Sequence, residues 1–174
     1  MSYYRVENCL PPKRLIALKE YVSTVSNKFK CATVTPPMHD FRLAKILDKP
    51  DLPQAIDLII DKHLELAAIA LCVRTDGFRE CQITCTPNGG YFRRHIDNSG
   101  NLDRRGLAYV LYFGNPVIGG ELFLDLPGGG VTIAPCDNSI VVFPAHLPHE
   151  VLPVVCGEAF LEGRFTVNGW IGKI

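Results

Sequence analysis

The chain has 174 residues, a hydrophobic fraction of 47%, and 18 basic residues balanced by 18 acidic ones. This length and composition predict one globular domain with a substantial core. The balanced charge gives no basic footprint for nucleic acid, no apolar run approaches a membrane span, and residues 1–7 lack the apolar core of a signal peptide. We therefore expect a cytoplasmic protein that binds neither nucleic acid nor membrane.

Cysteine is frequent for this length. There are seven cysteines, an odd number, and none of them forms a Cys-x-x-Cys pair. This spacing argues against a zinc site. Without a secretory signal, the pattern predicts reduced and mostly buried thiols.

The first third of the chain is predicted to be helical. A first helix opens at Pro11-Pro12, where Leu15, Leu18 and Val22 recur at steps of three and four residues. A second helix opens at Asp51-Leu52-Pro53, with Asp51 as the expected N-cap. We assign residues 1–77 as a helical support region within the single domain 1–174.

From Phe78 onward, short β-branched or aromatic runs alternate with Gly, Pro, Asn and Asp. The predicted strands lie near Arg79–Cys85, Tyr91–Ile96, Gly106–Phe113, Glu121–Leu124, Gly130–Ala134, Ser139–Phe143, Glu150–Val155 and Arg164–Trp170. Eight short strands in one block predict a mainly β fold with N-terminal helices. The expected architecture is a double-stranded β-helix (a cupin-like jelly roll) over 78–174, with the helices packed outside one sheet.

His95-Ile96-Asp97 is the most informative stretch. In a strand, side chains at i and i+2 point to the same face, so His95 and Asp97 would converge on one point. One further histidine would complete a 2-His-1-carboxylate triad for Fe(II), which leaves coordination positions open. The histidines available for this position are His39, His63, His146 and His149.

Four ordered blocks of sequence resemble the Fe(II)/2-oxoglutarate dioxygenases of the prolyl 4-hydroxylase type, from about Cys81 to Trp170. The blocks are Gly89-Gly90-Tyr91-Phe92-Arg93-Arg94-His95-Ile96-Asp97-Asn98; Leu107 to Pro116 followed by Gly119-Gly120-Glu121-Leu122; Ile133-Ala134-Pro135, Ile140 to Pro144 and His149 to Val154; and Gly163 to Trp170. Four blocks in order are more specific than any one alone.

The resemblance implies a set of site residues. His95, Asp97 and His149 would be the metal ligands and the catalytic centre, with His149 preferred to His146 because it directly precedes a β-rich run, as in the family. Arg164 would bind the far carboxylate of 2-oxoglutarate, since arginine offers a bidentate fork. Its separation from His149 is longer than is usual in the family. The other expected co-substrate contacts are Thr166, Trp170, Tyr109, Leu111, Phe113 and Val151.

Two tyrosines that the family often places at the co-substrate fall here at Cys85 and Phe113, with Tyr112 beside the latter. Hydroxyl contacts are therefore expected from Tyr91, Tyr109 or Thr166. Arg93, Arg94, Arg104 and Arg105 form a local basic cluster that could steer an acidic substrate or be a solvated face. The candidate substrate residues are Tyr91, Arg93, Arg105 and His146.

The resemblance implies a hydroxylase that uses Fe(II), O₂ and 2-oxoglutarate, with ascorbate as a candidate reductant, and releases succinate and CO₂. Because the acidic ligand Asp97 is present, hydroxylation is favoured over halogenation. The substrate would be a peptidyl side chain, prolyl among the candidates, or a small amino-acid-like molecule. The alternative is a cupin-like metal-binding sensor or storage protein, which has no need of Arg164; a weaker one is another metal-dependent jelly-roll enzyme, such as an isomerase. The oligomeric state stays open.

Overall fold

The computed structural model describes residues 1–33 and 40–174, so His39 lies outside the described residues. Within these two described ranges, two α-helices and thirteen strands follow one another. In chain order they are β1 (Tyr4–Glu7), α1 (Pro12–Thr24), β2 (Lys30–Cys31), β3 (Lys45–Asp48), α2 (Gln54–Ala70), β4 (Thr75–Thr86), β5 (Phe92–His95), β6 (Arg105–Phe113), β7 (Ile118–Gly119), β8 (Leu122–Leu126), β9 (Gly129–Ile133), β10 (Ser139–Pro144), β11 (His149–Val151), β12 (Val154–Val155) and β13 (Arg164–Lys173).

The strands form two main sheets. Seven strands lie in the order β1-β10-β6-β13-β4-β3-β2, and four lie in the order β5-β11-β8-β9. Strands β12 and β7 make a separate two-stranded ladder. The pairings are antiparallel. The predicted mainly β fold with helices is confirmed, and two antiparallel sheets fit the expected jelly roll.

Each face of the seven-stranded sheet packs into a different core. The helix-side core joins Leu18 of α1 and Ile60 of α2 to Ile83 and Val167 of the sheet. The inter-sheet core joins the sheet's other face to the four-stranded sheet through residues such as Val141, Phe143, Leu122 and Leu124. The helices therefore cover one face of the larger sheet, and the opposite face is free to build a pocket.

The region 1–77 was predicted to be a helical support region, but it also contains the strands β1, β2 and β3. Strand β1 pairs with β10, and β3 pairs with β4, so both extend the seven-stranded sheet. Strand β4 begins at Thr75 instead of Arg79. The predicted strand Glu150–Val155 is divided into β11 and β12. Pro153 lies between them and has no N–H to donate to a ladder.

The predicted start of the second helix is wrong by a few residues. Helix α2 begins at Gln54 and its N-cap position is Pro53, not Asp51. A residue that precedes proline is disfavoured in helical conformation, so Leu52 cannot lie in the first turn. Leu52 is instead buried in the helix-side core.

All seven cysteines are free thiols, as predicted, but they are not mostly buried. Cys9 and Cys85 are buried, whereas Cys31 and Cys72 are exposed and the other three are intermediate. Within the described residues, neither helix combines the length and apolarity that crossing a bilayer requires.

Candidate active site

His95 and His149 face each other across neighbouring strands. They are paired residues of β5 and β11, and their ring centroids are 4.2 Å apart. Asp97 completes the group: its Oδ1 lies 3.5 Å from Nε2 of His95, and its Oδ2 lies 3.3 Å from Nε2 of His149. One donor atom from each residue lies within 4.8 Å of the other two, a separation that one metal ion can bridge.

Asp97 reaches the site differently from the prediction. Strand β5 ends at His95, so strand alternation does not place the carboxylate. Instead the backbone N–H of Asp97 donates to the carbonyl of Ala145 at 2.9 Å. Its own carbonyl accepts a 3.4 Å hydrogen bond from the Arg105 guanidinium. The chain bend that these two contacts fix brings the carboxylate to the histidines.

Backbone contacts fix the tautomer of both histidines. Nδ1 of His95 donates to the carbonyl of Arg93 at 2.7 Å, and Nδ1 of His149 donates to that of Leu147 at 2.9 Å. Because Nδ1 carries the proton in each neutral ring, both Nε2 atoms present lone pairs. Two lone pairs and a carboxylate that face one point repel each other unless a cation lies among them. The residues therefore fit a metal ion.

The environment of Asp97 favours the ionised form of its carboxyl group. Burial of Asp97 on its own would raise the pKa of the group. When a proton takes the place of a metal ion on Nε2, hydrogen bonding and charge from His149 and His95 outweigh burial and hold the pKa of Asp97 well below its usual range. Asp97 is only 8% exposed and His149 only 5%. A buried carboxylate beside two imidazole nitrogens is a ligand set that suits a divalent cation such as Fe(II).

The structure leaves the other described histidines apart from this group. His146 is exposed in the turn between β10 and β11, and it is not among the residues of the pocket. His63 lies on α2, with Nε2 3.2 Å from the carbonyl of Cys9. The placement agrees with the choice of His149 over His146, and it does not bring His146 to the predicted substrate site.

A pocket with a cavity volume of about 70 Å³ opens beside the three ligands on the inter-sheet side of the seven-stranded sheet. Alternate residues of β4, β6 and β13 line it, because every second side chain of a strand points to the same face. The lining residues include Gln82, Thr84, Thr86, Val110, Arg164, Thr166, Asn168 and Trp170, together with Arg42, Tyr91, Phe92, Phe143 and Val151.

Arg164 lies at the buried end of this pocket. It is 4% exposed, and its guanidinium carbon is 5.0 Å from the ring centroid of Tyr112. Burial lowers the pKa of Arg164 and raises that of Tyr112. Within the described residues, Nε of Arg164 and the hydroxyl of Tyr112 have no hydrogen-bond partner. Two unpartnered donors side by side fit an incoming carboxylate.

The predicted co-substrate contacts divide by strand face. Thr166, Trp170 and Val151 line the pocket. Leu111 and Phe113 lie in the helix-side core and do not reach it. Tyr109 belongs to the same core, and its hydroxyl donates to the carbonyl of Glu80 at 3.1 Å, but Tyr109 is also among the residues that line the pocket, as predicted.

This division corrects the predictions on β6. Residues 109, 111 and 113 share one face of the strand, and Tyr112 is on the other, in contact with Arg164. Tyr112 is therefore a better candidate than Phe113 for a hydroxyl contact beside Arg164. The period-two alternation of β6 was the signal that could have identified Tyr112.

A polar network that the sequence did not predict lies on the face of the seven-stranded sheet that lines the pocket. The amide oxygen of Asn168 accepts hydrogen bonds from Thr84 Oγ1 at 2.8 Å and Thr166 Oγ1 at 3.2 Å. Arg42 donates to Thr84 Oγ1 at 3.3 Å. Asn168 could have been found from its two-residue spacing to Thr166 and Trp170. No sequence pattern identified Arg42 as a site residue, because it lies in the irregular stretch before β3.

The predicted basic cluster is neutralised by carboxylates. Arg93 pairs with Asp40, and Arg105 forms an ion pair with Glu80. The remaining pairs are Arg94 with Asp125 and Arg104 with Asp76. The cluster as a whole therefore presents paired charges.

Tyr91 and Arg105, two of the predicted substrate residues, also have partners. Tyr91 lines the pocket, and its hydroxyl donates to the Asp40 carboxylate at 3.0 Å. The Arg105 guanidinium carbon lies 3.5 Å from the Trp170 ring centroid. Arg105 also donates a hydrogen bond to the Asp97 carbonyl. It therefore supports both Trp170, which lines the pocket, and the chain bend that carries Asp97.

Known proteins resemble this chain in sequence and in fold. A PKHD-type hydroxylase of Synechocystis, itself uncharacterized, is 39% identical over 140 residues, which cover 72% of this chain and 43% of that protein. The aligned part thus spans less than half of the relative.

Two solved structures share the fold. A Pseudomonas putida prolyl-4-hydroxylase has a TM-score of 0.80 at 24% identity, covering 99% of this chain and 93% of its own. A Trichoplax adhaerens prolyl hydroxylase in complex with a hypoxia inducible factor peptide fragment has a TM-score of 0.77 at 21% identity, covering 99% and 84%.

The family comparison covers the strands that carry the site. Residues 81–172, more than half of the chain, match the family described as the 2OG-Fe(II) oxygenase superfamily. This range contains the three candidate metal ligands and Arg164. The chain belongs to the 2OG-Fe(II) oxygenase superfamily.

Proposed function

We propose that this protein is an Fe(II)- and 2-oxoglutarate-dependent dioxygenase that hydroxylates an unactivated C–H bond, on a double-stranded β-helix. Membership of the superfamily implies Fe(II) as the metal, with 2-oxoglutarate and O₂ as co-substrates. One oxygen atom of O₂ would enter the C–H bond, and the other would enter succinate as CO₂ is released.

One observation carries this proposal: the buried guanidinium of Arg164 lines the same pocket as the candidate metal centre. His95, Asp97 and His149 would hold the iron, and Arg164 and Tyr112 would hold the far carboxylate of 2-oxoglutarate. A passive metal-binding module has no need of a buried guanidinium beside an unpartnered hydroxyl.

The chain's own residues would bind, orient and exclude water. The hydrogen bonds to Arg93 and Leu147 hold both imidazole rings with Nε2 toward the metal position. Phe92, Phe143 and Val151 supply apolar walls that limit the access of water. Bound iron and 2-oxoglutarate would supply the oxygen activation, and the fixed ligands would leave open positions for it.

The substrate is proposed to be a peptidyl side chain, prolyl among the candidates, or a small amino-acid-like molecule. A wide groove lined by Asp40, Tyr91, Arg93, Glu150 and Pro153 lies at the mouth beside Phe92 and Val151, which also line the metal pocket. An extended chain could lie in such a groove while one side chain enters the pocket. The peptide complex of the Trichoplax relative supports the peptide alternative. Ascorbate as a reductant stays a prediction.

Anaerobic titration tests the proposal against the sensor or storage alternative. We expect Fe(II) and 2-oxoglutarate together to give the visible charge-transfer band of the chelate, and admission of O₂ to yield succinate. Iron binding without this band and without 2-oxoglutarate consumption would instead support the passive metal-binding protein.

A further inference from the structure

Arg42 lies beside the metal centre although it comes from the N-terminal region. The segment Phe41–Leu43 lies along the free edge of β5: Leu43 N–H donates to the carbonyl of Tyr91, and Arg93 N–H donates to that of Phe41, both at 2.9 Å. Arg42 thereby forms an isolated antiparallel β-bridge with Phe92. Paired residues of antiparallel chains place their side chains on the same side, so Arg42 follows Phe92 into the pocket.

The side chain of Arg42 is held on two sides. Its guanidinium carbon is 4.6 Å from the ring centroid of Phe92, and one of its nitrogens donates to Thr84 Oγ1 at 3.3 Å. The Phe92 ring in turn stacks on His95 with centroids 3.7 Å apart. One aromatic ring therefore separates this cation from a candidate metal ligand.

The charge of Arg42 has no close counter-ion among residues 1–33 and 40–174. Arg93, Arg94, Arg104 and Arg105 each pair with a carboxylate, whereas the described contacts of Arg42 are a hydroxyl and an aromatic face. Burial lowers the pKa of Arg42 to about 10, against an opposing effect of the Asp97 charge. The guanidinium is still a cation at neutral pH.

The charges of the loaded pocket leave this cation uncompensated. The charged side chains that line the pocket, apart from the two histidines, are Arg42, Asp97 and Arg164. Fe(II) and Arg164 together balance Asp97 and the two carboxylates of 2-oxoglutarate. The charge of Arg42 remains, in a partly desolvated site where an unpaired charge is unfavourable.

We propose that Arg42 is a specificity-determining residue that binds an anionic group, most simply a carboxylate, on the substrate to be hydroxylated. This inference rests on the proposed function and narrows its substrate class to acidic molecules or peptides with an acidic residue near the oxidised carbon. Thr84, already in contact with Arg42, offers a second hydroxyl contact to the same group.

The test measures binding through Trp170, which lines the pocket and is the only tryptophan of the sequence. Protein saturated with Mn(II) and 2-oxoglutarate is titrated with N-acetyl-glutamate amide and, separately, with N-acetyl-glutamine amide. The two probes differ by one carboxylate. We expect wild type to prefer the acidic probe roughly tenfold to a hundredfold, as a charge-assisted contact implies.

Substitutions test whether Arg42 causes the preference for the acidic probe. Arg42→Met should abolish it, and Arg42→Lys should keep part of it, because an ammonium cannot form the planar fork. The matched control is Arg104→Met, which removes an exposed arginine paired with Asp76 and should leave the preference unchanged. Equal binding of both probes by wild type, no binding of either, or a preference that survives Arg42→Met would overturn the assignment.

A second measurement separates this inference from the proposed function. The 2-oxoglutarate affinity of each variant is read from the anaerobic Fe(II) chelate band. If Arg42→Met weakens 2-oxoglutarate as strongly as Arg164→Ala does, then Arg42 binds the co-substrate and the substrate assignment is wrong. If wild type gives no chelate, the proposed function fails, and the probe titration with Mn(II) alone still decides whether Arg42 is an anion site.

Discussion

His95 and His149 are direct cross-strand partners, with their rings 4.2 Å apart on β5 and β11. Two of the three candidate iron ligands are therefore positioned by one ladder of backbone hydrogen bonds. The third, Asp97, comes from the bend after β5 and is held by backbone contacts to Ala145 and Arg105. The site thus combines a fixed histidine pair with a carboxylate that depends on a loop.

Loss of either histidine should empty the iron site. His95→Ala or His149→Ala should abolish tight Fe(II) binding and succinate formation, because only two ligands remain. His146→Ala is the control, since its side chain is exposed in a turn. Bound iron and succinate are measured for all three variants. Loss of iron in His146→Ala with retention in His149→Ala would reverse the ligand assignment.

Changes at Asp97 should separate iron binding from turnover. Asp97→Glu adds one methylene to a carboxylate that is already 3.3–3.5 Å from both Nε2 atoms, so the group should be displaced from its position. We expect activity to fall further than iron content. Asp97→Gly should remove the ligand and end hydroxylation. Iron content and 2-oxoglutarate consumption are measured together, and a parallel loss of both in Asp97→Glu would contradict the prediction.

Arg164 and Tyr112 should determine the affinity for 2-oxoglutarate. Arg164→Ala removes a charge-assisted contact of about 1.5–3 kcal/mol and should weaken 2-oxoglutarate roughly tenfold to a hundredfold, with iron binding unchanged. Arg164→Lys should recover only part of this. Tyr112→Phe should have a smaller effect of the same kind, since it removes one neutral donor. Titration of the chelate band checks each variant, and an unchanged affinity in Arg164→Ala would assign the carboxylate to another cation.

The absence of a side chain at Gly120 leaves the space that the Arg164 side chain occupies. A Cβ at Gly120 would come within 2.7 Å of Arg164 Cδ and 2.9 Å of Val154 Cγ2, at a φ of +68°. Gly120→Ala should therefore destabilise the fold by about 1–3 kcal/mol through overpacking, beyond the backbone strain, and weaken 2-oxoglutarate by displacing Arg164.

Gly128→Ala is the matched control for this change. Gly128 has a φ of +93° but no heavy atom within 4 Å of the added Cβ. It should show the backbone strain without the loss of 2-oxoglutarate affinity. Denaturant unfolding and chelate titration are compared for both variants. Equal effects of the two substitutions on co-substrate affinity would rule out the packing explanation.

The thiols should differ in reactivity. Burial raises the pKa of Cys85 to about 12 and that of Cys9 to about 11. Because the thiolate is the nucleophile, both should stay unreactive toward a thiol reagent at pH 8 in the native state. Cys31 and Cys72 are exposed and should react first. Mass spectrometry of the labelled protein checks the order, and early labelling of Cys85 would show that the helix-side core opens readily.

Local sequence determined the strands and the chemistry of the metal site. Runs of β-branched and aromatic residues between turn-forming residues indicated the strand regions from Phe78 onward, except the two-residue strand β7. The ordered motifs identified His95, Asp97, His149 and Arg164, which the structure places around one pocket. Such signals are readable because each depends on residues close together in the chain.

Strand alternation decided which predicted contacts reach the pocket. Leu111 and Phe113 lie on the face of β6 that packs against the helices and do not reach the pocket. Tyr109 shares that face but also borders the pocket, and Tyr112 on the other face contacts Arg164. A shift of one residue exchanges the two faces of a strand, so the assignment depends on register. The motif alone did not fix that register.

The tertiary structure alone brought Arg42 to the site. Its position follows from hydrogen bonds between an irregular segment and the free edge of β5, a contact between distant parts of the chain. Likewise, the ion pairs of Arg93 and Arg105 with Asp40 and Glu80 turned a basic cluster of the sequence into paired charges. The sequence by itself determined which groups could bind a metal and a carboxylate. Only the packing of the two sheets decided which charges remain available, because pairing and burial depend on neighbours that are remote in the chain.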